Sequence, residues 1–107
     1  MLDILAPLTA ALAIAAGAFG AHGAEGQAAE WLKTGAGYQL VHALAVLMLA
    51  KQAPGPAWSL LVGAAIFAGT LYAMALGAPR WFGAITPIGG VLMIAGWLWL
   101  AWQAWRR

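Results

Sequence analysis

Apolar residues in this chain run on rather than alternate with polar ones. Four stretches carry no charged side chain: Ile4 to Ala21, Gly35 to Ala50, Ala57 to Ala78 and Trp81 to Trp102, of 18, 16, 22 and 22 residues. A helix needs about 20 such residues to cross a bilayer. The pattern predicts an all-α integral membrane protein, an antiparallel four-helix bundle with spans near residues 4–23, 35–51, 57–78 and 86–105 in a single domain, 1–107. At about 1.5 Å per residue the second run covers only about 24 Å of a roughly 30 Å hydrocarbon slab, so it must borrow a turn from its flanks or sit in a thinned leaflet.

The breaks between runs have their own chemistry. Gly23-Ala24-Glu25-Gly26-Gln27 interrupts the first apolar pattern, and Ala28 to Lys33, with Trp31 in its middle, reads as a short interfacial helix on the headgroups. Glu30 and Lys33, three apart, make a weak pair there. Lys51-Gln52-Ala53-Pro54-Gly55-Pro56 is a tight connector between the second and third spans. In Ile85-Thr86-Pro87, Thr86 fits an N-cap and Pro87 the first helical position, so the fourth helix is expected to start near Thr86, after irregular backbone from Trp81 to Ile85.

Small residues recur at helical spacing. Ala6, Ala10, Ala13, Gly17 and Gly20 or Ala21 form one strip, and Ala65, Gly69, Ala73 and Gly77 a second, regular at four residues; Gly89 and Gly90 open the fourth span. Such strips let helix backbones approach closely. The second is expected either at the centre of the bundle or at a contact between copies.

Composition sharpens the class: 64% of residues are hydrophobic and 7% charged, against roughly a quarter charged in soluble domains. A formal charge of +2 is too small to suggest nucleic acid. Its placement is informative. Four spans put both termini on one side, where Lys51, Arg106 and Arg107 outnumber Lys33 and Arg80 on the other, which favours cytoplasmic termini. The first segment resembles a secretory signal in its small residues near Ala21-His22-Gly23-Ala24, but Asp3 stands where a signal peptide wants Lys or Arg, so it is read as a retained span.

Candidate chemistry is sparse. Counted from the Lys33/Arg80 end, His42 lies about seven residues into its helix and Thr70 and Tyr72 six to eight from the end of theirs, each within roughly 10 Å of the interface by helical rise. His22, Tyr38, His42, Thr70, Tyr72 and Thr86 therefore reach similar depth in the outer half of the bundle, with Arg80 nearby. One reading is a polar pocket for a small ligand or lipid, with the helix N-terminus at Thr86-Pro87 and Arg80 offered to an anion or carbonyl and His42 as a switchable group. The other is that these side chains satisfy one another and the irregular backbone, because unpaired polar groups in hydrocarbon are costly. The second is favoured.

No metal or cofactor is expected. Two histidines without a nearby carboxylate or thiolate make a poor metal or haem signature, and with no cysteine in the chain there is no thiolate. Catalysis is not expected either, since the only serine, Ser59, falls at the opposite interface from both histidines. Proton-coupled cation export in the manner of four-helix small multidrug transporters needs a membrane-embedded carboxylate, whereas Asp3, Glu25 and Glu30 all fall at membrane edges.

Four motifs occur in order: Gly17-Ala18-Phe19-Gly20-Ala21-His22; Thr34-Gly35 with Tyr38 and His42; Phe67-Ala68-Gly69-Thr70-Leu71-Tyr72; and Ile85-Thr86-Pro87-Ile88-Gly89-Gly90 with Gly96-Trp97. Together they closely resemble the bacterial domain-of-unknown-function family 423, which is similar to the eukaryotic transmembrane protein 256. One departure is that Ala68 and Thr70 stand where the family pattern has serines. The resemblance implies a small four-span membrane protein, in bacteria at the inner membrane, and supplies no catalytic residue. The reading is a structural or accessory membrane protein in contact with lipid, associating with copies of itself. The alternative is a carrier or ligand-binding protein using the polar region.

Overall fold

Glycine and proline set the helix boundaries. The computed structural model describes residues 1–107: α1 (Leu2–His22), α2 (Gly26–Leu49), α3 (Pro54–Ala75), a 3-10 turn (Arg80–Ala84) and α4 (Thr86–Arg106). Gly23 closes α1 by donating its N–H to Phe19 O, and Gly26 starts α2 at φ +61° after extended Glu25. Pro54 and Pro56 lie in the first turn of α3, where a missing N–H costs nothing. Gly77, at φ +110°, turns the chain after α3.

Two expectations about local structure change. Residues 28–33 are not a separate interfacial helix; they are the N-terminal turns of α2, which continues unbroken through Thr34-Gly35. Ala28, Ala29, Glu30, Leu32 and Lys33 are good helix formers, and Ala29, Leu32, Gly35 and Ala36 keep one buried face in register across the expected break. The second helix thereby gains the length its apolar run lacked. Thr86 is the first residue of α4 rather than its cap; Ile85 holds the cap position and Thr86 makes no capping bond.

Three stretches are long and apolar enough to cross a membrane: Leu2–His22, Pro54–Ala75 and Arg80–Arg106. α2 is long enough but carries Gln27, Glu30, Lys33, Thr34, Gln39 and His42.

Each helix packs on the next, and glycines mark the close approaches. A Cβ on Gly17 or Gly20 of α1 would meet Ala36 or Leu32 of α2, and one on Gly35 of α2 would meet Tyr72 and Ala68 of α3. Between α3 and α4, Gly63 faces Gly89 and Gly96 faces Leu60. The start of α1 (Leu2, Ala6), the end of α2 (Val46) and the start of α3 (Ala57, Leu60, Leu61) share one apolar cluster, joined by Leu100 of α4. Ala16, Leu32 and Ala36, with Tyr72 and Ala75, form a second at the other end. The backbones of α2 and α4 do not approach each other, which leaves a cleft between them floored by α3.

The ladder at Ala65, Gly69, Ala73 and Gly77 is not at the centre. Ala65 and Gly69 are exposed, nothing lies within 4 Å of a Cβ built on Gly69, and Gly77 falls outside the helix. α3 buries the opposite face instead, through Leu60, Gly63, Ala64, Ala68 and Leu71. Close approach is supplied there by Gly35, Gly89 and Gly96 on the neighbouring helices. Gly90 likewise stands clear of α3, and Gly89 alone makes the contact.

Candidate functional site

His42 of α2 is the most informative polar side chain. It is buried, and its Nδ1 lies 2.7 Å from Tyr38 O one turn earlier while its Nε2 lies 3.0 Å from Trp97 Nε1 of α4. A carbonyl only accepts and an indole N–H only donates. The ring therefore carries its proton on Nδ1, gives it to Tyr38 O, and receives the indole hydrogen at Nε2. Both nitrogens are engaged. The Trp97 ring meets the imidazole edge-on at 5.8 Å between centroids, and Tyr38 packs on Phe67 of α3 at 4.8 Å. This link spans the cleft between α2 and α4 that no backbone contact closes.

Gln39, three residues before His42 on α2, points to a different neighbour. It is 4% exposed, and its Oε1 accepts the Tyr72 hydroxyl of α3 at 2.7 Å. The third polar pair is Thr70 of α3 and Thr86 of α4, with hydroxyl oxygens 2.6 Å apart. Thr70 Oγ1 also sits 2.9 Å from Ile66 O, whereas Thr86 Oγ1 is 3.4 Å from Phe82 O. The shorter contact assigns the protons: Thr70 donates to its own helix, a common arrangement for threonine in apolar helices, and Thr86 donates to Thr70. At the other end of the same interface Ser59 donates to Leu92 O at 2.7 Å.

The seven residues singled out from the sequence thus do not form one pocket. Tyr38 and His42 belong to the α2–α4 link, Tyr72 pairs with Gln39, and Thr70 pairs with Thr86. His22, in the last turn of α1, and Arg80, at the start of the 3-10 turn, are exposed and outside all three groups. The histidines offer at most one free imidazole between them, because both nitrogens of His42 are occupied. Every buried side-chain nitrogen and oxygen has a partner.

Sequence reasoning missed Trp97, Gln39 and Ser59 as polar partners. Trp97 reads as one more member of the aromatic series Trp97, Trp99, Trp102 and Trp105. Its position was a usable signal: an indole N–H that deep in an apolar run needs an acceptor, and imidazole supplies one.

The cleft itself has room. Tyr38 and His42 form one wall, Gly90, Ile94 and Trp97 the other, with Phe67 and Met93 behind, enclosing about 310 Å³. Along α2 it adjoins a shallow recess lined by Lys33, Thr34, Gly37, Tyr38, Val41 and His42. Tyr38 is half exposed into this space, and neither Gly37 nor Gly90 has an atom within 4 Å of where a Cβ would stand.

Comparison with known proteins gives a consistent family. Residues 16–90 match the family described as protein of unknown function (DUF423). The chain is 42% identical over 107 residues to a UPF0382 membrane protein of Staphylococcus epidermidis, an alignment covering 89% of this chain and 87% of the relative. It is 39% identical over 113 residues to a UPF0382 membrane protein of Haemophilus influenzae, covering 95% and 91%. To a UPF0382 inner membrane protein of Escherichia coli it is 38% identical over 108 residues, covering 88% and 81%. No solved structure matches. The all-helical fold, its apolar helices and this agreement over most of the chain converge: the protein belongs to the DUF423 family of membrane proteins.

Proposed function

We propose that this protein is a four-span structural or accessory component of the bacterial inner membrane, with both termini in the cytoplasm, an antiparallel helix order and self-association through the outer face of α3. The observation that carries the reading is the full use of the His42 imidazole inside the protein, at Tyr38 O and Trp97 Nε1. A histidine placed to take up a ligand or proton keeps one nitrogen accessible; this one ties two helices together. Gln39–Tyr72, Thr70–Thr86 and Ser59–Leu92 act the same way, as interhelical hydrogen bonds that hold helices without binding anything else. With both nitrogens of His42 and the hydroxyls of Thr70, Tyr72 and Thr86 engaged inside the protein, the reading assigns no catalytic step. α2 completes the four spans because it packs on both α1 and α3 and shelters Gln39 and His42 inside.

Replacing His42 by Ala tests this. The structural reading expects loss of folded protein in detergent, seen as a lower unfolding midpoint, together with loss of cellular accumulation. A variant that folds with wild-type stability and alters a cellular phenotype would support the second reading, in which the α2–α4 cleft holds a small ligand or an acyl chain. That reading is favoured by the open cleft and the half-exposed Tyr38. Reporter fusions at the two termini check the topology, and signals from opposite compartments would refute it.

A further inference from the structure

The end of the molecule that gathers the start of α1, the α2–α3 turn and the end of α4 carries a recess unrelated to the His42 region. Leu49 at the end of α2, Ala53 just before α3 and Leu100 of α4 form its apolar floor, continuous with the buried cluster around Val46 and Leu60. Gln52, Gln103, Arg106 and Arg107 form its rim, and the space is about 470 Å³. Gln103, Arg106 and Arg107 also border a second hollow against Trp105, so the two guanidinium groups stand between two openings. Arg106 lies over the Trp102 ring at 4.2 Å from its centroid, one turn back along α4. That stacking orients the guanidinium without consuming its N–H donors in an ion pair.

No acidic residue lines either opening. The one acidic side chain at this end, Asp3, is on α1, whose buried residues Leu2 and Ala6 pack on α2 and α3 rather than on α4. Lys51 is exposed on the same turn as Gln52. The array is therefore a cationic, donor-rich rim above an apolar floor, at the level where Trp102 and Trp105 mark the membrane interface.

From this juxtaposition we infer that the recess binds the headgroup of an anionic glycerophospholipid. Two guanidinium groups match phosphate oxygens in bidentate fashion. The Gln52 and Gln103 amides supply further donors and acceptors to the glycerol and headgroup hydroxyls. Leu49, Leu100 and Ala53 meet the upper carbons of an acyl chain. Free phosphate would satisfy only the rim, and the apolar floor selects the lipid. Basic pockets between helices at a membrane face recognise anionic headgroups on the same principle.

Native mass spectrometry of the full chain, released from detergent micelles doped with equal amounts of phosphatidylglycerol and phosphatidylcholine, tests this. The wild-type protein is expected to retain one phosphatidylglycerol in preference to phosphatidylcholine. Arg106→Lys with Arg107→Lys keeps the charge but removes the forked donors, and is expected to lower that preference about tenfold, as loss of a charge-assisted bidentate contact does. Lys33→Gln with Arg80→Gln, at the other end, is expected to leave it unchanged. Helical content by circular dichroism confirms that both double variants fold, as their exposure implies. Equal retention by the wild type and the lysine variant would overturn the inference, because general surface attraction would then suffice. So would an equal loss in the Lys33/Arg80 variant, or displacement of the lipid by millimolar inorganic phosphate.

Discussion

Gly63 of α3 and Gly89 of α4 stand backbone to backbone: a Cβ on Gly63 would lie 2.8 Å from Gly89 O, and one on Gly89 would lie 2.5 Å from Gly63 O. Neither neighbour is a flexible side chain, so nothing local relieves the overlap. Gly90, the next residue, has open space around it. Gly89→Ala is therefore expected to push α3 and α4 apart and destabilise the protein by about 1–3 kcal/mol. Gly90→Ala, at a helical position without contacts, is expected to be neutral or stabilising by up to about 1 kcal/mol. Unfolding in mixed micelles by titration with a denaturing detergent reads both.

The His42 geometry makes a spectroscopic prediction. Nitrogen-15 NMR of the protein in micelles should place the His42 proton on Nδ1 and show Nε2 as an unprotonated acceptor, with the exposed His22 imidazole in exchange with water. Trp97→Phe keeps an aromatic ring but removes the N–H. The expected cost is about 0.6–1.7 kcal/mol, the range of interhelical hydrogen bonds in membranes. A variant with unchanged stability and unchanged His42 shifts would refute the link.

Gln39 and Tyr72 support a double-mutant cycle. Tyr72→Phe leaves Gln39 Oε1, on a residue that is 4% exposed, without its hydroxyl donor. Removing one member of a buried pair costs about 1–3 kcal/mol, whereas replacing both by apolar groups approaches neutrality. Gln39→Leu with Tyr72→Phe is thus expected to be more stable than Tyr72→Phe alone. Additive losses would show that the two side chains do not act on each other.

Much of this arrangement was legible before the structure. Apolar run length gave the number and class of helices, and Gly26, Pro54, Gly77 and Pro87 fall close to the ends they were expected to mark, because these residues act locally. On the α1 strip, a Cβ at Gly17 or Gly20 would meet Ala36 or Leu32 of α2. What was not legible depends on which helix faces which. Thr70, Tyr72 and His42 share a depth, but depth along a helix leaves its rotation free, and rotation sends each to a different partner. The ladder at Ala65 and Gly69 shows the same gap: spacing of four locates a strip on one face and says nothing of which way that face turns. The separate helix expected at residues 28–33 failed for a related reason, since Gly35, where the second span was expected to begin, lies inside one continuous α2 at the site where Tyr72 of α3 comes against it.

That outward strip leads to the last prediction. Ala65 and Gly69 are exposed on α3; Ala65 shares a recess with Val62, Ile66 and with Leu5 and Thr9 of α1, whereas Gly69 has no neighbour of its own. In lipid there is no hydrophobic gain from covering such a face, so two copies associate only if their backbones come close enough for dispersion contacts, which requires small residues at the crossing. Gly69→Leu is expected to abolish self-association while leaving monomer stability within about 0.5 kcal/mol, because the side chain projects into empty space. Gly69→Ala should weaken it only partly. Sedimentation equilibrium in density-matched detergent separates these outcomes. A wild-type protein that stays monomeric at every protein-to-detergent ratio, or a Gly69→Leu variant that still dimerises, would assign the strip to lipid contact alone.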